Sequence, residues 1–497
     1  MMINKSKFSK SLTIFLVYNI IIILTVTCNY ILEAKTEGGN GESDVAEGVS
    51  KTTNNENDLN SKLEDIKIKE KFIEIHETTE FVESLQDGIR EAKISVSSDV
   101  SRPLCHSDFM SVTDTEFKSW FDSNKSPARH HKEFHFVEYA PYVFRHFRLL
   151  FGINTQDYLT SFCAFPLREM TNPGASGSKM FITMNGKFIL KSLKDSEGDF
   201  FREILPFYMT HLKKNPGSLL PKFFGFYGFV SGLNRMQFIS MNNLLPRNIQ
   251  MHLKYDLKGS SYRRTATPEE RKQKSPTYKD NDFRQKMAGN LYLMKNTLSD
   301  VLRIIEKDAN FLQRNNIMDY SMLLGIYNIT QDTTPDSTIS LAAEARWTRL
   351  MNDSIEIEDI HADTANFEYE KSCPFLRGSI PAENEKGEKL FLFVGIIDVL
   401  QDFRIIKFIE YGVKTIVQGS DISVQPPDKY APRFVDFLRN SVLMPKLSPE
   451  ELELSKKNAE SVLGKRPYND SDNTHNLCIG CFKAKKASAD IEDTDNV

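Results

Sequence analysis

Three charged side chains stand inside otherwise apolar stretches. They are Lys191 in KFILKSL, Asp319 in NNIMDYSMLLGIYNI and Asp398 near the end of KLFLFVGIIDVLQDF. A lysine or carboxylate is costly to bury without a partner. Each is therefore either satisfied inside the protein or has chemistry to perform. Upstream of Lys191, NPGASGS brings Gly174, Ser176, Gly177 and Ser178 together. Bare backbone N–H groups in such a loop can cover the phosphates of a nucleotide. A strand lysine then meets the α- and β-phosphates, held by an acid from the following helix, for which Glu197, Asp199 and Glu203 are equal candidates. An acid just past a long apolar strand, as Asp398 is, suits Mg²⁺, because hard oxygen ligands bridge that metal to phosphate. Loop, lysine, base and metal ligand are the parts of phosphoryl transfer from ATP, and they occur here in the order of a kinase.

These residues need particular elements to position them. The run from Asn172 to Leu193 reads as a loop, a strand (KMFITM), a turn at Asn185-Gly186 and a second strand carrying Lys191. MQFISMNNLLP reads as a strand leading into an interlobe linker, where the backbone of Asn242, Asn243 and Leu244 would meet adenine. YDLKGSSYRR puts Lys258, Arg263 and Arg264 around Gly259, either as a solvated turn or as a phosphate-recognition site. Pro141 marks a helix start before YVFRHFRLLFG.

The chain has 497 residues, 40% of them hydrophobic, and a net charge of −4. This suits a globular core, excludes a polytopic membrane protein and gives no bias toward nucleic acid. Globular character is expected from Phe117 to Leu447. Three lysines (Lys5, Lys7, Lys10) precede an apolar run from Leu12 to about Val26, the plan of a signal peptide. Extended through Leu32, the run is long enough for a signal anchor. Residues 36–116 are expected to be acidic and mostly disordered, with one amphipathic helix within LEDIKIKEKFIEIHETTEFVESL. Residues 448–497 read as a polar tail. Six scattered cysteines make no disulfide framework. Cys478 and Cys481 beside lysines suit either a plain tail or reversible acylation, and His475 with them lacks a fourth ligand for zinc.

The sequence resembles the phosphatidylinositol phosphate kinase family, and within it the type I branch, the phosphatidylinositol-4-phosphate 5-kinases. EYAPYVFRHFRLLFGI, NPGASGS, KFILKSL, LLPKFFGFYG, MNNLLPRNIQMHLKYDLKGSSYRR, NNIMDYSMLLGI and LFVGIIDVLQDF carry the resemblance. It implies an α+β, two-lobed kinase-like fold, with an antiparallel sheet in the N-lobe and a mixed C-lobe. It implies that Gly174 to Ser178 form the nucleotide loop and that Lys191 binds ATP phosphates. Asp319 would be the catalytic carboxylate on the inositol hydroxyl, and Asp398 would bind Mg²⁺. Lys407 and Glu410 fall in the segment that selects lipid, and glutamate at Glu410 is the type I residue. The implied product is phosphatidylinositol 4,5-bisphosphate, made from phosphatidylinositol 4-phosphate in an anionic membrane surface. The family often forms homodimers. Three departures stand out: Phe408 where a second lysine is usual, Ser379 where glycine is usual, and an acidic insertion from Ser354 to Glu370. Phe408 removes a membrane-facing charge worth on the order of 1 kcal/mol near anionic lipid.

Three other readings have discriminating features. A type II enzyme acting on the 5-phosphate isomer would carry alanine at Glu410. An inactive lipid-binding scaffold would have lost Lys191, Asp319 or Asp398. A protein kinase would show His-Arg-Asp and Asp-Phe-Gly in place of MDYS and IID. A membrane-associated enzyme, most readily at the plasma membrane, is expected. The lysine-first N-terminus points the chain to the far side of a membrane, which conflicts with a cytosolic site. An anchor against the charge bias, export into a host cell, or a downstream start codon would each resolve the conflict.

Overall fold

The computed structural model describes residues 80–92, 102–122, 129–170, 177–246, 249, 251–286, 290–331, 338–352, 379–403, 425–451 and 453–454. All lie in the compact unit His76–Val497. The expected signal segment, most of the acidic stretch and the cysteine-bearing tail fall outside them. Among the described residues no helix is long and apolar enough to cross a membrane.

Among the described residues fifteen strands form three sheets. Along the chain the first nine are β1 (Val112–Phe117), β2 (Trp120–Asp122), β3 (Arg129–His131), β4 (Phe134–Tyr139), β5 (Arg168–Met170), β6 (Met180–Ile182), β7 (Phe188–Leu193), β8 (Phe223–Ser231) and β9 (Asn234–Asn242). Strands β2 and β3 pair as a small ribbon, and the others make an antiparallel sheet in the order β1-β4-β8-β9-β7-β6-β5. Position in the sheet follows from sequence character. FFGFYGFVS is apolar almost throughout, and β8 is buried on both faces in the interior of the sheet. VTDTEF alternates, and β1 lies at an edge with every second residue exposed. Because β1 pairs with β4 along its whole length, the folded unit starts ahead of the expected boundary at Phe117.

Helices brace this sheet. Helix α1, residues 80–91, buries Val82, Leu85 and Ile89, spaced by roughly one turn each. Gly88 lets it approach closely, since a Cβ there would lie 2.1 Å from Phe136 Cδ2. Gln86 Nε2 donates to the carbonyls of Phe162 and Phe165 at 2.6 and 2.8 Å. The described helix includes residues 80–85 of the stretch expected to be helical, and the rest of that stretch lies outside the described residues. Helix α2 (Pro141–Leu150) has proline in its first turn, as its sequence predicts, and packs on β8. Helix α3 (Asp195–Lys214) follows Lys191 directly and buries Phe200, Phe201, Ile204, Leu205, Tyr208 and Leu212.

The remaining strands are β10 (Leu253–Leu257), β11 (Leu291–Leu293), β12 (Ser321–Asn328), β13 (Ile380–Glu383), β14 (Lys389–Ile397) and β15 (Leu443–Pro445). They form a mixed sheet ordered β10-β12-β14-β13-β11-β15, with only β11 and β15 parallel. Helices α4 (Lys295–Arg314) and α5 (Pro427–Ser441) pack together beside it. One contiguous apolar cluster runs between the two large sheets.

A buried carboxylate also ties the halves together. Asp308 of α4 is fully buried and accepts from Leu219 N at 2.7 Å and Ser218 Oγ at 2.8 Å, with His211 Nε2 of α3 at 2.7 Å. Leu219 O in turn accepts from Ile396 N of β14 at 2.8 Å. Replacing this acceptor strands buried donors, so Asp308→Ala is expected to cost about 3 kcal/mol or more of stability. Chemical denaturation reads this directly. A loss below about 1 kcal/mol would mean that water replaces the carboxylate.

Candidate functional site

Strand register brings the charged residues to one place. Leu257 of β10 pairs with Met322 of β12, and Ser321 of β12 pairs with Ile397 of β14. Lys258 lies one residue past β10, Asp319 two residues before β12, and Asp398 one residue past β14. All three therefore sit at the same end of three adjacent strands. Both carboxylates occupy the left-handed region, Asp319 at φ +60° and Asp398 at φ +59°. That conformation costs an L-residue roughly 1–2 kcal/mol, although Asp tolerates it better than most. The segment before β12 is pinned to hold it. Met318 N donates to Gln401 O at 3.1 Å, Phe403 N donates to Asn316 O at 2.8 Å, and Tyr430 Oη of α5 donates to Tyr320 O.

Two ion pairs fill the site. Lys191 Nζ reaches across from the seven-stranded sheet to Asp398 Oδ1 at 2.8 Å. Lys258 Nζ meets Asp319 Oδ1 at 2.8 Å. Asp398 remains 49% exposed and Asp319 22%, so both carboxylates are reachable from solvent. Burial pushes the Asp398 carboxyl up, but Lys191 and then Lys258 outweigh it and hold the group below its usual range. The pair therefore stabilises the fold above the ordinary carboxylate pKa. That contribution fades as pH falls through the lowered value of the folded state.

The acid expected to hold Lys191 is not among the three candidates on α3. Glu197 caps its own helix, accepting from Lys194 N at 2.9 Å. Asp199 stands 4.0 Å from Arg202, and Glu203 is exposed. Asp398, 207 residues away in sequence, takes that place.

Other expected site residues divide. Gly174, Ser176, Lys407 and Glu410 lie outside the described residues. Gly177 adopts φ +64° with open space around it, and Ser178 precedes a tie to β7. There Lys179 N donates to Ser192 Oγ and Ser192 N donates to Lys179 O, both at 2.8 Å. The end of the glycine-rich loop is thus fixed beside Lys191. In the linker, Asn242 N and Asn243 N are already committed to Lys222 O and Lys187 O, at 3.1 and 2.8 Å. These two amides are thus not offered to a base as expected. Leu244 instead packs on β14, where a Cβ on Gly395 would lie 2.4 Å from its Cδ1.

Arg263 is exposed, at φ +53°. Arg264 departs from the expected contact with substrate phosphate because it is buried and turned inward. Its Nε donates to Asp280 Oδ2 at 2.7 Å and its Nη2 to Asp256 Oδ1 at 2.9 Å. Burial opposes its charge, and Asp256 and Asp280 more than restore it. Asp280, Asp256 and Asp308 were not picked out from the sequence as site-supporting residues: their partners Arg264, Leu219 and His211 are brought to them only by the fold.

Among the described residues no group of three His, Cys, Asp or Glu side chains could hold a metal by itself. Mg²⁺ is commonly held by one or two carboxylates with phosphate and water completing its shell. With a nucleotide bound, Asp398 would be such a ligand.

The chain matches the family described as Phosphatidylinositol-4-phosphate 5-Kinase over residues 161–441. It is 39% identical over 390 residues to phosphatidylinositol 4-phosphate 5-kinase type-1 beta of Homo sapiens, covering 76% of this chain and 71% of that protein. It is 39% identical over 364 residues to the type-1 alpha protein of Mus musculus, covering 72% and 66%. The type-1 sktl protein of Drosophila melanogaster is 36% identical over 415 residues, covering 72% of this chain and 52% of its own length.

Proposed function

The chain belongs to the phosphatidylinositol-4-phosphate 5-kinase family, and from that premise we propose that it transfers the γ-phosphoryl group of ATP to the 5-hydroxyl of phosphatidylinositol 4-phosphate. The observation that carries the site assignment is the convergence of Lys258, Asp319 and Asp398 at one end of β10, β12 and β14, with Lys191 facing them. The reading is a two-lobed kinase, with the antiparallel sheet as one lobe and the mixed sheet as the other.

Each side chain has a task in this reading. Asp319 accepts the proton of the inositol 5-hydroxyl as that oxygen attacks phosphorus. Lys258 supplies positive charge beside Asp319 and, once that pair opens, to the transferring phosphoryl oxygens. Lys191 leaves Asp398 for the α- and β-phosphates, which frees the half-exposed Asp398 for the metal. Mg²⁺, when bound, supplies neutralisation of the phosphate charge. Both ion pairs are thus contacts that substrate and nucleotide replace. Gly177 and Ser178 end the loop that covers the phosphates. Arg263 and Lys407 are assigned to recognition of the lipid headgroup at an anionic membrane surface, and Glu410 to selection of the 4-phosphate isomer.

The test offers full-length protein vesicles containing phosphatidylinositol 4-phosphate or phosphatidylinositol 5-phosphate, with Mg-ATP, and separates the products. The 4-phosphate isomer is expected to turn over at least tenfold faster, and Glu410→Ala is expected to narrow or reverse that ratio. Preference for the 5-phosphate by the unaltered protein would overturn the assignment in favour of a type II activity. Turnover of neither lipid, with nucleotide binding intact, would favour a scaffold.

A further inference from the structure

We propose that Asp280 is a positioning residue for the transfer: it fixes the Lys258–Gly259 turn, and through it the lysine that meets Asp319. The inference rests on the roles given above to Lys258 and Asp319. Asp280 begins the short helix Asp280–Lys286 and is fully buried. Its Oδ1 accepts from Gly259 N at 2.7 Å and Lys258 N at 3.0 Å, and its Oδ2 from Arg264 Nε at 2.7 Å. One carboxylate thus binds both amides of the turn and the arginine that closes the loop behind it.

The rest of the loop wraps the same helix start. Asn281 N donates to Arg264 O at 2.9 Å and Asn281 Nδ2 to Ser261 O at 2.8 Å, while Asp282 Oδ2 accepts from Ala266 N at 2.8 Å. On the opposite side the turn has no room to move. Gly259 adopts φ +74°, and a Cβ there would lie 2.9 Å from Phe437 Cβ and 3.4 Å from Arg433 O on α5. The backbone of Lys258 is therefore held between Asp280 and α5. From that position its side chain reaches Asp319 at 2.8 Å. Lys258 has a long, flexible side chain, so its aim depends on how firmly its backbone is held. A shift of about an ångström in such a group can cost a hundredfold in rate.

Asn keeps an Oδ1 acceptor for the two amides, whereas Ala removes it. Asp280→Ala is expected to lower kcat by about ten- to a hundredfold, leaving the KM for ATP within twofold. Asp280→Asn is expected to recover part of that loss, because its Nδ2 cannot accept from Arg264 Nε as the carboxylate does. A merely structural residue would not couple to Lys258. The decisive measurement is therefore a double-mutant cycle in which Lys258→Met costs far less in the Asp280→Ala background than in the unaltered protein. Hydrogen exchange at the amides of Lys258 and Gly259 provides a readout independent of activity, with protection lost in Asp280→Ala and kept in Asp280→Asn. If the alanine variant does not fold, Asp280→Glu replaces it: the longer carboxylate keeps the charge beside Arg264 but presses on the turn, so kcat falls at a smaller loss of stability than leaving Arg264 and two amides unpaired. Additive costs in the cycle, or kcat near that of the unaltered protein in both displaced variants, would overturn the proposal. An unaltered protein that turns over no lipid while both amides stay protected would instead indict the proposed function.

Discussion

Asp319→Asn is expected to lower kcat by about 10²–10⁴-fold, the range in which a positioned general base contributes, with the KM for ATP little changed. The reason for choosing asparagine lies in the backbone. Position 319 holds φ +60° between a segment pinned to residues 401–403 and a strand buried along most of its length. Asparagine tolerates that conformation as well as aspartate does, whereas alanine would add strain of roughly 1 kcal/mol. The amide also still accepts a hydrogen bond from Lys258. Asp319→Asn thus removes the proton acceptor and leaves the frame. Single-turnover transfer from preloaded Mg-ATP, with lipid vesicles added last, isolates the chemical step from nucleotide binding. If that step runs at near the unaltered rate, the proton has another destination and Asp319 serves only to hold Lys258.

The residues that could be found in the sequence share one property: their neighbours contradict them. A carboxylate between Met318 and Tyr320, or a lysine between Leu190 and Ser192 in an apolar strand, stands out without any knowledge of the fold. The strands around them were legible for the same reason, being apolar runs bounded by glycine, asparagine or proline. The helix start at Pro141 and the turn at Gly186, with φ +71°, follow from local chemistry alone.

What could not be found depends on register between distant strands. Lys191 pairs with Asp398 across 207 residues of sequence because its side chain reaches from inside β7 to the residue just past β14, and nothing within α3 reveals that its own acids point elsewhere. Arg264 reads as a surface base because YRRTA is polar, yet a buried carboxylate 16 residues later draws it inward. Helix α1 shows a milder version of the same limit. Its apolar spacing of Val82, Leu85 and Ile89 is present in the sequence, but the longer charged run ahead of it carries a similar pattern. What holds residues 80–92, close approach to Phe136 and bonds to the carbonyls of Phe162 and Phe165, comes from partners far away in sequence.

Asp398→Asn is expected to reduce kcat/KM by a hundredfold or more, because a lost metal ligand withdraws several kcal/mol of charge stabilisation and each 1.36 kcal/mol is a factor of ten. The accompanying signature is a higher Mg²⁺ requirement, since asparagine offers oxygen without charge. Lys191→Met separates the two partners of this ion pair. It removes the larger of the two charges that hold the Asp398 carboxyl down, leaving burial opposed only by Lys258. The Asp398 pKa should therefore rise, and the Lys191–Asp398 contribution to stability above the ordinary carboxylate pKa should vanish. A carboxyl ¹³C titration of labelled protein without nucleotide reads that pKa in both forms. Mg²⁺ dependence then assigns the roles. Asp398→Asn should shift the Mg²⁺ requirement, while Lys191→Met should raise the KM for ATP. If both variants shifted only the ATP term, Asp398 would be a tether for the lysine and the metal would have to be held by other oxygens.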